Sequence, residues 1–489
     1  MDSGAPLSFD AVPVPTPPGG PLAVELVPAP DPWAVARKLA HLPHLLFLDS
    51  AEKHAERGRY SYVSADPVDI LNRPIGGLTD PFRDDRFDCP RLVRPVEHLP
   101  PFFGGWAGLF GYGLGRAYER IAAPRRDEFG VPDLALGVYD WVISFDHRAG
   151  RAWLVSTGVI PEEPFANDRP ARAEYRLDFV LALLRSPQGA YAPRSGASPV
   201  LLPELCPQHP LPGFPGVTSN FSRAEYEAAV RRAVEYVHAG DCFQVNVSQR
   251  LLAPLREHPL DLYGRLRDLN PAPFAAYFDL GDFQILSASP ERFLRVHPDG
   301  EVETRPIKGT RPRGRTPEED AALVRDLATS PKDRAENVMI VDLLRNDIGK
   351  VCEYGSVRVP RVCEVETFRF VHHLVSEVRG KLRPGLGPLD LLAAAFPGGS
   401  VTGAPKVRAM EIIAELEPTA RGPYCGCLGW VGFDGAMDTN ILIRTFTAGR
   451  GWVQFPVGGG VVADSDPARE YEETLHKAAG LLRSLEKRE

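Results

Sequence analysis

Two pairs of acidic residues and one lysine carry the most chemistry in this sequence. Asp333 and Glu336 stand three positions apart, as do Glu470 and Glu473. Each pair follows a short start signal, Ser330-Pro331 or Asp466-Pro467. Such a step predicts a helix: the side-chain oxygen caps it and proline takes the first helical position. At i, i+3 the two carboxylates share one helix face and repel by roughly 0.2–0.5 kcal/mol. A hard divalent cation such as Mg²⁺ would offset that repulsion, because it takes carboxylate and water oxygens and bridges to anionic substrates. The first turns of helices also favour acidic residues through the dipole, with no metal involved. Lys308 lies in Pro306-Ile307-Lys308-Gly309-Thr310. It is either an exposed loop lysine or, if held in a desolvated spot, a nucleophile with a lowered pKa.

Glu291 sits in Ser289-Pro290-Glu291-Arg292-Phe293, between strand-like runs at 283–288 and 292–296. A carboxylate fixed at such a turn could serve as a general acid toward a leaving hydroxyl, given a raised pKa. Arg444 reads as a lone cation inside the apolar strand 441–445, where it needs either a substrate carboxylate or a structural aspartate. The run 397–406 leads into a helix whose first N–H groups could hold an anion. Val457-Gly458-Gly459-Gly460-Val461 could let backbone amides approach a carboxylate, although a tight turn explains either run as well. In 243–248, Phe243, Val245 and Val247 alternate with Gln244, Asn246 and Ser248. The polar row lines a cavity or faces solvent.

Positioning these groups takes a mixed scaffold. Ser222 and Glu225 predict a capping box, followed by an apolar helix face of Tyr226, Ala229, Val230, Ala233, Val234 and Val237 that ends at Gly240. The clearest break is 186–220, with eight prolines and little periodicity. It predicts a linker or surface excursion between an N-terminal region, 1–185, and a catalytic region, 221–489. Residues 134–145 read as strand, and the glycine-aromatic stretch 102–112 as packed strand and turn; no Lys-Ser/Thr follows it, so it is no phosphate loop.

Bulk properties narrow the class. The 489 residues are 44% apolar and 25% charged, as in ordinary globular proteins. A formal charge of −8 argues against nucleic acid. No run of eighteen apolar residues predicts a membrane span. Residues 1–20 are acidic and proline-rich without a signal-peptide core, which leaves the cytoplasm as the expected location. Seven irregularly spaced cysteines predict reduced, mostly buried thiols.

Taken in order, Ser289-Pro290-Glu291-Arg292-Phe293, Pro306 to Arg313, Asp333-Arg334-Ala335-Glu336-Asn337, Val341 to Asp347, Thr402-Gly403-Ala404-Pro405-Lys406 and Gly458 to Val462 resemble the motifs of the chorismate-utilising enzymes. That family includes anthranilate, aminodeoxychorismate, isochorismate and salicylate synthases. The resemblance spans 219–488 and extends more weakly to Leu46-Phe47-Leu48-Asp49-Ser50 and Gly58-Arg59-Tyr60-Ser61. It implies an α+β fold of two mostly antiparallel sheets packed face to face with flanking helices. It implies Glu336, Glu470 and Glu473 as Mg²⁺ ligands, with Asp333 at a fourth acidic position and the metal on the ring carboxylate of chorismate. Gly309, Thr310, Thr402, Lys477, Gly458, Gly459 and Gly460 match positions around the substrate, and Tyr424 and Arg444 those that grip the enolpyruvyl carboxylate. Glu291 matches the acid at the C4 hydroxyl, and His373 the family's active-site histidine.

Two positions separate family members. Isochorismate and salicylate synthases carry a lysine base that activates water; here the matching residue is Gln244, which cannot act as a base. The resemblance therefore implies ammonia as nucleophile, supplied by a separate glutamine amidotransferase subunit, since no cysteine stands in a G-x-C-x-G-like context. At position 308 anthranilate synthases carry alanine, whereas aminodeoxychorismate synthases carry lysine. Lys308 therefore implies a covalent adduct at C2 and amination at C4, giving 4-amino-4-deoxychorismate, the precursor of 4-aminobenzoate and folate. The alternative is anthranilate and pyruvate. Asp49 departs from the Leu-Glu-Ser common in the family, an element that helps some members bind tryptophan.

Overall fold

The computed structural model describes residues 6–52, 57–83, 87, 96, 98–160, 168–187 and 198–486. Within them, two large sheets carry the fold, one of fourteen strands and one of ten, and every strand pairing is antiparallel. This is the α+β architecture that the motifs imply. Between the sheets lies an apolar layer that takes Leu46, Val142, Leu252, Phe278 and Ile285 from the larger sheet and Leu109, Ala135, Leu428 and Trp430 from the smaller. Helices cover the outer faces: Pro259–Leu269 and Pro467–Leu485 on the larger sheet, Pro331–Gly349 and Pro388–Ala395 on the smaller.

Strands from both sides of 186–220 build both sheets. Leu46–Asp49 lies beside Phe274–Asp279 in the larger, and Gly105–Phe110 beside Cys427–Gly432 in the smaller. The described part of 186–220 is itself partly embedded. Thr218–Ser219 pairs with Gln244–Pro254, and Val200 and Leu205 are buried. Residues 188–197 lie outside the described residues. The 134–145 run breaks at Asp140: Leu134–Tyr139 joins the smaller sheet and Trp141–Asp146 the larger.

The caps read from sequence form as expected. Ser222 and Glu225 make the reciprocal box, and Ala239 ends that helix with Gly240 following at φ +84°. The side chain of Ser330 accepts from the Asp333 N–H, and that of Asp466 from Arg469, with proline opening each helix. The same local device thus launches both carboxylate-bearing helices. The six described cysteines are free and buried; Cys89 lies outside the described residues.

Candidate active site

The site gathers where the chain crosses twice from one sheet to the other. Residues 289–292 connect Phe283–Ser289 of the larger sheet to Arg292–Val296 of the smaller, and 440–445 connect Met437–Asn440 back to Thr445–Gly449. The two crossings run side by side. Ala288 N–H donates to Arg444 O at 3.1 Å, Ile441 N–H to Glu291 O at 3.0 Å, and Ser289 Oγ to Ile441 O at 2.5 Å. Arg444 is therefore not inside a strand, as its apolar neighbours suggest, but on a bend at φ +51°. The period-2 pattern fails there because the chain changes sheets.

Glu291 is buried and its pKa is pushed up to about 7 by burial, against the opposing charge of Lys308 and a long Ile307 N–H contact at 3.4 Å. A carboxylic acid that keeps its proton near neutrality is what a general acid requires. Lys308 lies on the strand Ile307–Pro312 of the smaller sheet, not on an exposed loop. Gly309, at φ +77°, creates a register shift there, so Lys308 pairs with Leu374 and Thr310 with its neighbour His373. Burial lowers the pKa of Lys308, with Glu336 opposing. Its amine donates to Ser400 O at 3.3 Å and also senses Glu291 and Glu473.

His373 is buried, its Nδ1 is 2.9 Å from Thr310 Oγ1, and burial, with Arg444 and Arg57 nearby, drives its pKa to about 3. It is neutral at physiological pH, a hydrogen-bonding group and not a cationic acid. Among the described residues no side chain hydrogen-bonds the Arg444 guanidinium. Burial lowers its pKa, and Glu291 and Glu52 supply only partial compensation. Such a cation has capacity for an anionic ligand.

The glycine run forms the strand Trp452–Val461, paired with Gln244–Pro254 so that Gly460 faces Asn246 and Gly458 faces Ser248. Both sides of this ribbon are polar. A Cβ at Gly459 would stand 3.0 Å from Glu470 Oε2 and 3.7 Å from Glu473 Oε1 and Lys477 Nζ. One at Gly460 would meet the Gln244 carboxamide at 2.9 Å, and one at Gly458 would meet Asn246 Oδ1 at 3.0 Å. The polar row of this strand is buried, not solvent-facing, and among the described residues both Gln244 carboxamide atoms and Asn246 Oδ1 lack a hydrogen-bond partner. Phe243, expected to begin the strand, precedes it and is 71% exposed.

The four acids divide by environment. Burial raises the pKa values of Glu336 and Glu470, and Glu473 pushes both further up. Glu470 accepts from Ser465 Oγ at 2.6 Å. Glu473, at the open rim, pairs with Lys477 at 2.7 Å, and Lys477 also donates to Gly458 O at 2.9 Å. Asp333 is taken by Arg311 at 2.9 Å. Among the described residues no three acidic, imidazole or thiol side chains converge closely enough to cage a metal ion. The donor chemistry nevertheless suits Mg²⁺: the Glu473 charge raises the proton affinity of Glu336 and Glu470, whereas, against burial, Lys477 holds Glu473 itself below its ordinary value, and a hard cation would take up the three carboxylates together.

Of the remaining sequence candidates, Thr402 spends its hydroxyl on Gly398 O at 2.9 Å, and Tyr424 is buried. Lys406 is paired with Asp347 at 2.6 Å, so its amine serves structure. Sequence reasoning missed Arg57, which is buried, ion-paired with Glu366 at 2.7 Å and electrostatically coupled to Glu291 and His373. It also missed Glu417 and Arg421, a buried pair at 2.7 Å. No local signal marked these: Arg57 stands in the charged run 52–59, and Glu417 and Arg421 in the mixed run 415–421. Asp49 is engaged by Arg267 at 2.8 Å and by the Tyr263 hydroxyl at 3.0 Å, beside a separate cavity of about 250 Å³ that Leu48, Ser50, Tyr62 and Arg292 also line. No described helix is long and apolar enough to cross a membrane.

Against this geometry the comparisons with known proteins are unambiguous in class. Residues 47–483 match the family model described as chorismate binding enzyme. The chain belongs to that family and is a chorismate-utilising enzyme. It is 42% identical to anthranilate synthase component 1 of Thermus thermophilus over 470 residues, covering 92% of this chain and 94% of the relative. It is 43% identical to aminodeoxychorismate synthase component 1 of Klebsiella aerogenes over 426 residues, covering 87% and 84%. Among solved structures, anthranilate synthase component I of Streptococcus pneumoniae superposes with a TM-score of 0.73 at 33% identity, covering 88% of this chain and 93% of that one.

Proposed function

We propose that this enzyme aminates chorismate at C4, forming 4-amino-4-deoxychorismate, with Lys308 as covalent nucleophile. The observation that carries the reading is the setting of Lys308. Its amine is depressed in pKa by burial and lies in the field of the protonatable Glu291, the group suited to assist a leaving hydroxyl. The neutral amine attacks ring C2, both ring double bonds shift toward C4, and the C4 hydroxyl departs as water with the Glu291 proton. Ammonia then bonds to C4, both double bonds return, the C2–N bond breaks to release the neutral lysine, and the surplus proton of the new C4 ammonium returns to Glu291. The net change is chorismate plus ammonia to aminodeoxychorismate plus water.

Arg444 and Tyr424 hold the enolpyruvyl carboxylate in this reading; a guanidinium that no side chain among the described residues hydrogen-bonds, and that Glu291 and Glu52 compensate only in part, supports that role. Glu336, Glu470 and Glu473 would hold Mg²⁺, and the ion when bound supplies positive charge to the ring carboxylate. Asp333, committed to Arg311, orients the strand beside Gly309. Gln244 offers no base for activating water, which leaves ammonia, already a nucleophile, as the attacking species. Its source is a separate glutamine amidotransferase subunit.

The relatives carry both reaction names at about the same identity, which gives anthranilate formation standing as a second reading. Product analysis decides between them. Incubation with chorismate, Mg²⁺ and ammonium is expected to give a product that a separate lyase converts to 4-aminobenzoate. Anthranilate as the main product would sink the C4 assignment.

A further inference from the structure

Glu417 and Arg421 lie outside every motif discussed so far, yet their bonds reach three of the segments that build the site. Glu417 follows the helix Lys406–Leu416, and its Oε1 accepts from both Ser248 N–H and Ser248 Oγ at 2.8 Å. Arg421 grips Glu417 through Nε at 2.8 Å and Nη2 at 2.7 Å. The same guanidinium donates to Asn246 O at 2.8 Å and Val401 O at 3.1 Å. Its plane also lies 4.8 Å from the Tyr112 ring centroid and 5.6 Å from that of Tyr424.

Each contact has a site residue close behind it. Asn246 and Ser248 sit on the strand of Gln244, opposite Gly460 and Gly458. Val401 stands between Thr402 and Ser400, and Ser400 O receives the Lys308 amine. Tyr424 is one of the two residues assigned to the enolpyruvyl carboxylate. The pair is almost wholly shielded, with side-chain exposures of 2% for Arg421 and 6% for Glu417. A buried ion pair gives little net stability over a well-packed apolar replacement. Its rigid, forked geometry, however, fixes several backbone groups at once.

We propose that Glu417 and Arg421 are a positioning pair, a buried bracket that sets the mutual placement of the Gln244 strand, the Ser400–Thr402 turn and the Tyr424 ring. This rests on the chorismate amination proposed above and adds to it two residues that touch no reacting atom. A displacement of about 1 Å at a reacting group can cost on the order of 10²-fold in rate, so a loosened bracket is expected to slow chemistry more than it weakens binding.

The test is the double variant Glu417→Gln/Arg421→Met. It removes both charges together, keeps an acceptor for Ser248, and releases the Asn246 and Val401 carbonyls. With chorismate, ammonium and Mg²⁺, its kcat is expected to fall at least about tenfold while KM for chorismate stays within about threefold. Its melting temperature should stay within a few degrees of wild type. Arg421→Lys keeps a cation beside Glu417 but cannot fork to both carbonyls, and is expected to recover part of the lost kcat while remaining below wild type. A folded double variant with wild-type kcat overturns the bracket. If the double variant does not fold, Arg421→Lys decides, and wild-type kcat there overturns it equally. The parent enzyme in the same assay separates the two readings: an inactive parent refutes the reaction, whereas an active parent matched by its variants refutes the positioning.

Discussion

Glu291 and Lys308 share a proton problem whose size follows from the structure. The proposed first step needs the lysine neutral and the glutamic acid protonated, the arrangement opposite to the one the two groups adopt in water. With ordinary pKa values the active arrangement would be about one part in 10⁶ of the singly protonated pair. Raising Glu291 from 4.5 to about 7 alone enlarges that fraction about 300-fold, and the lowering of Lys308 adds to it. The pH profile of kcat/KM should therefore be a bell whose limbs belong to the pair and not to either residue. Below about pH 7 the pair takes up a second proton; above the lysine's value it loses its last one. Glu291→Gln removes the acid and leaves the lysine, so the alkaline limb should vanish and the rate should fall by about 10²–10⁴-fold. The assay is initial velocity of chorismate loss at constant free-ammonia concentration, because the ammonium equilibrium would otherwise impose its own limb. A Glu291→Gln enzyme within tenfold of wild type, or one that keeps the alkaline limb, would refute this reasoning.

Lys308→Ala is expected to lose at least about 10²-fold in kcat with little change in KM, and quenched wild-type enzyme should carry an adduct of chorismate less water that intact-mass spectrometry detects; unchanged turnover removes the covalent step. Glu336→Gln and Glu470→Gln should each raise the Mg²⁺ concentration needed for half-maximal activity at least about tenfold, and the melting-temperature rise that Mg²⁺ gives wild type should shrink in both. An unaltered Mg²⁺ response in both variants excludes these carboxylates as ligands. Gly459→Ala adds a methyl 3.0 Å from Glu470 Oε2, and is expected to impair activity several-fold with little change in melting temperature; full activity would mean that Glu470 has room to move.

What was legible in the sequence was mostly local. Ser330-Pro331 and Asp466-Pro467 announce their helices because capping involves neighbours within one turn. The Gln244, Asn246, Ser248 alternation marks one strand face for the same reason. Elements that depend on distant pairing were not legible. Nothing in 46–49 predicts that it lies beside Phe274–Asp279, and nothing in 134–145 shows that its halves belong to different sheets. Arg57 and the Glu417–Arg421 bracket escaped because a buried cation is recognisable only with its partners in place. Helix and strand periodicity carries no record of those partners.

Arg444 shows why local rules fail at this site in particular. A non-glycine residue at φ +51° costs roughly 1–2 kcal/mol, and a half-buried guanidinium with no hydrogen-bonding side chain among the described residues adds a desolvation cost. Glu291 and Glu52 offset the desolvation only in part, and the Ala288 N–H that bonds position 444 needs only its backbone carbonyl. In the proposed reading the rest of the compensation comes from a bound anion. Arg444→Asn tests this directly, because asparagine tolerates the left-handed region and buries no charge. The melting temperature of the free protein is expected to equal or exceed that of wild type, the trade common at sites held for function. KM for chorismate should rise by about 10–150-fold, the worth of one charge-assisted hydrogen bond of roughly 1.5–3 kcal/mol. A variant that melts lower and binds chorismate as well as wild type would make Arg444 a structural residue, and the enolpyruvyl carboxylate would then need another cation.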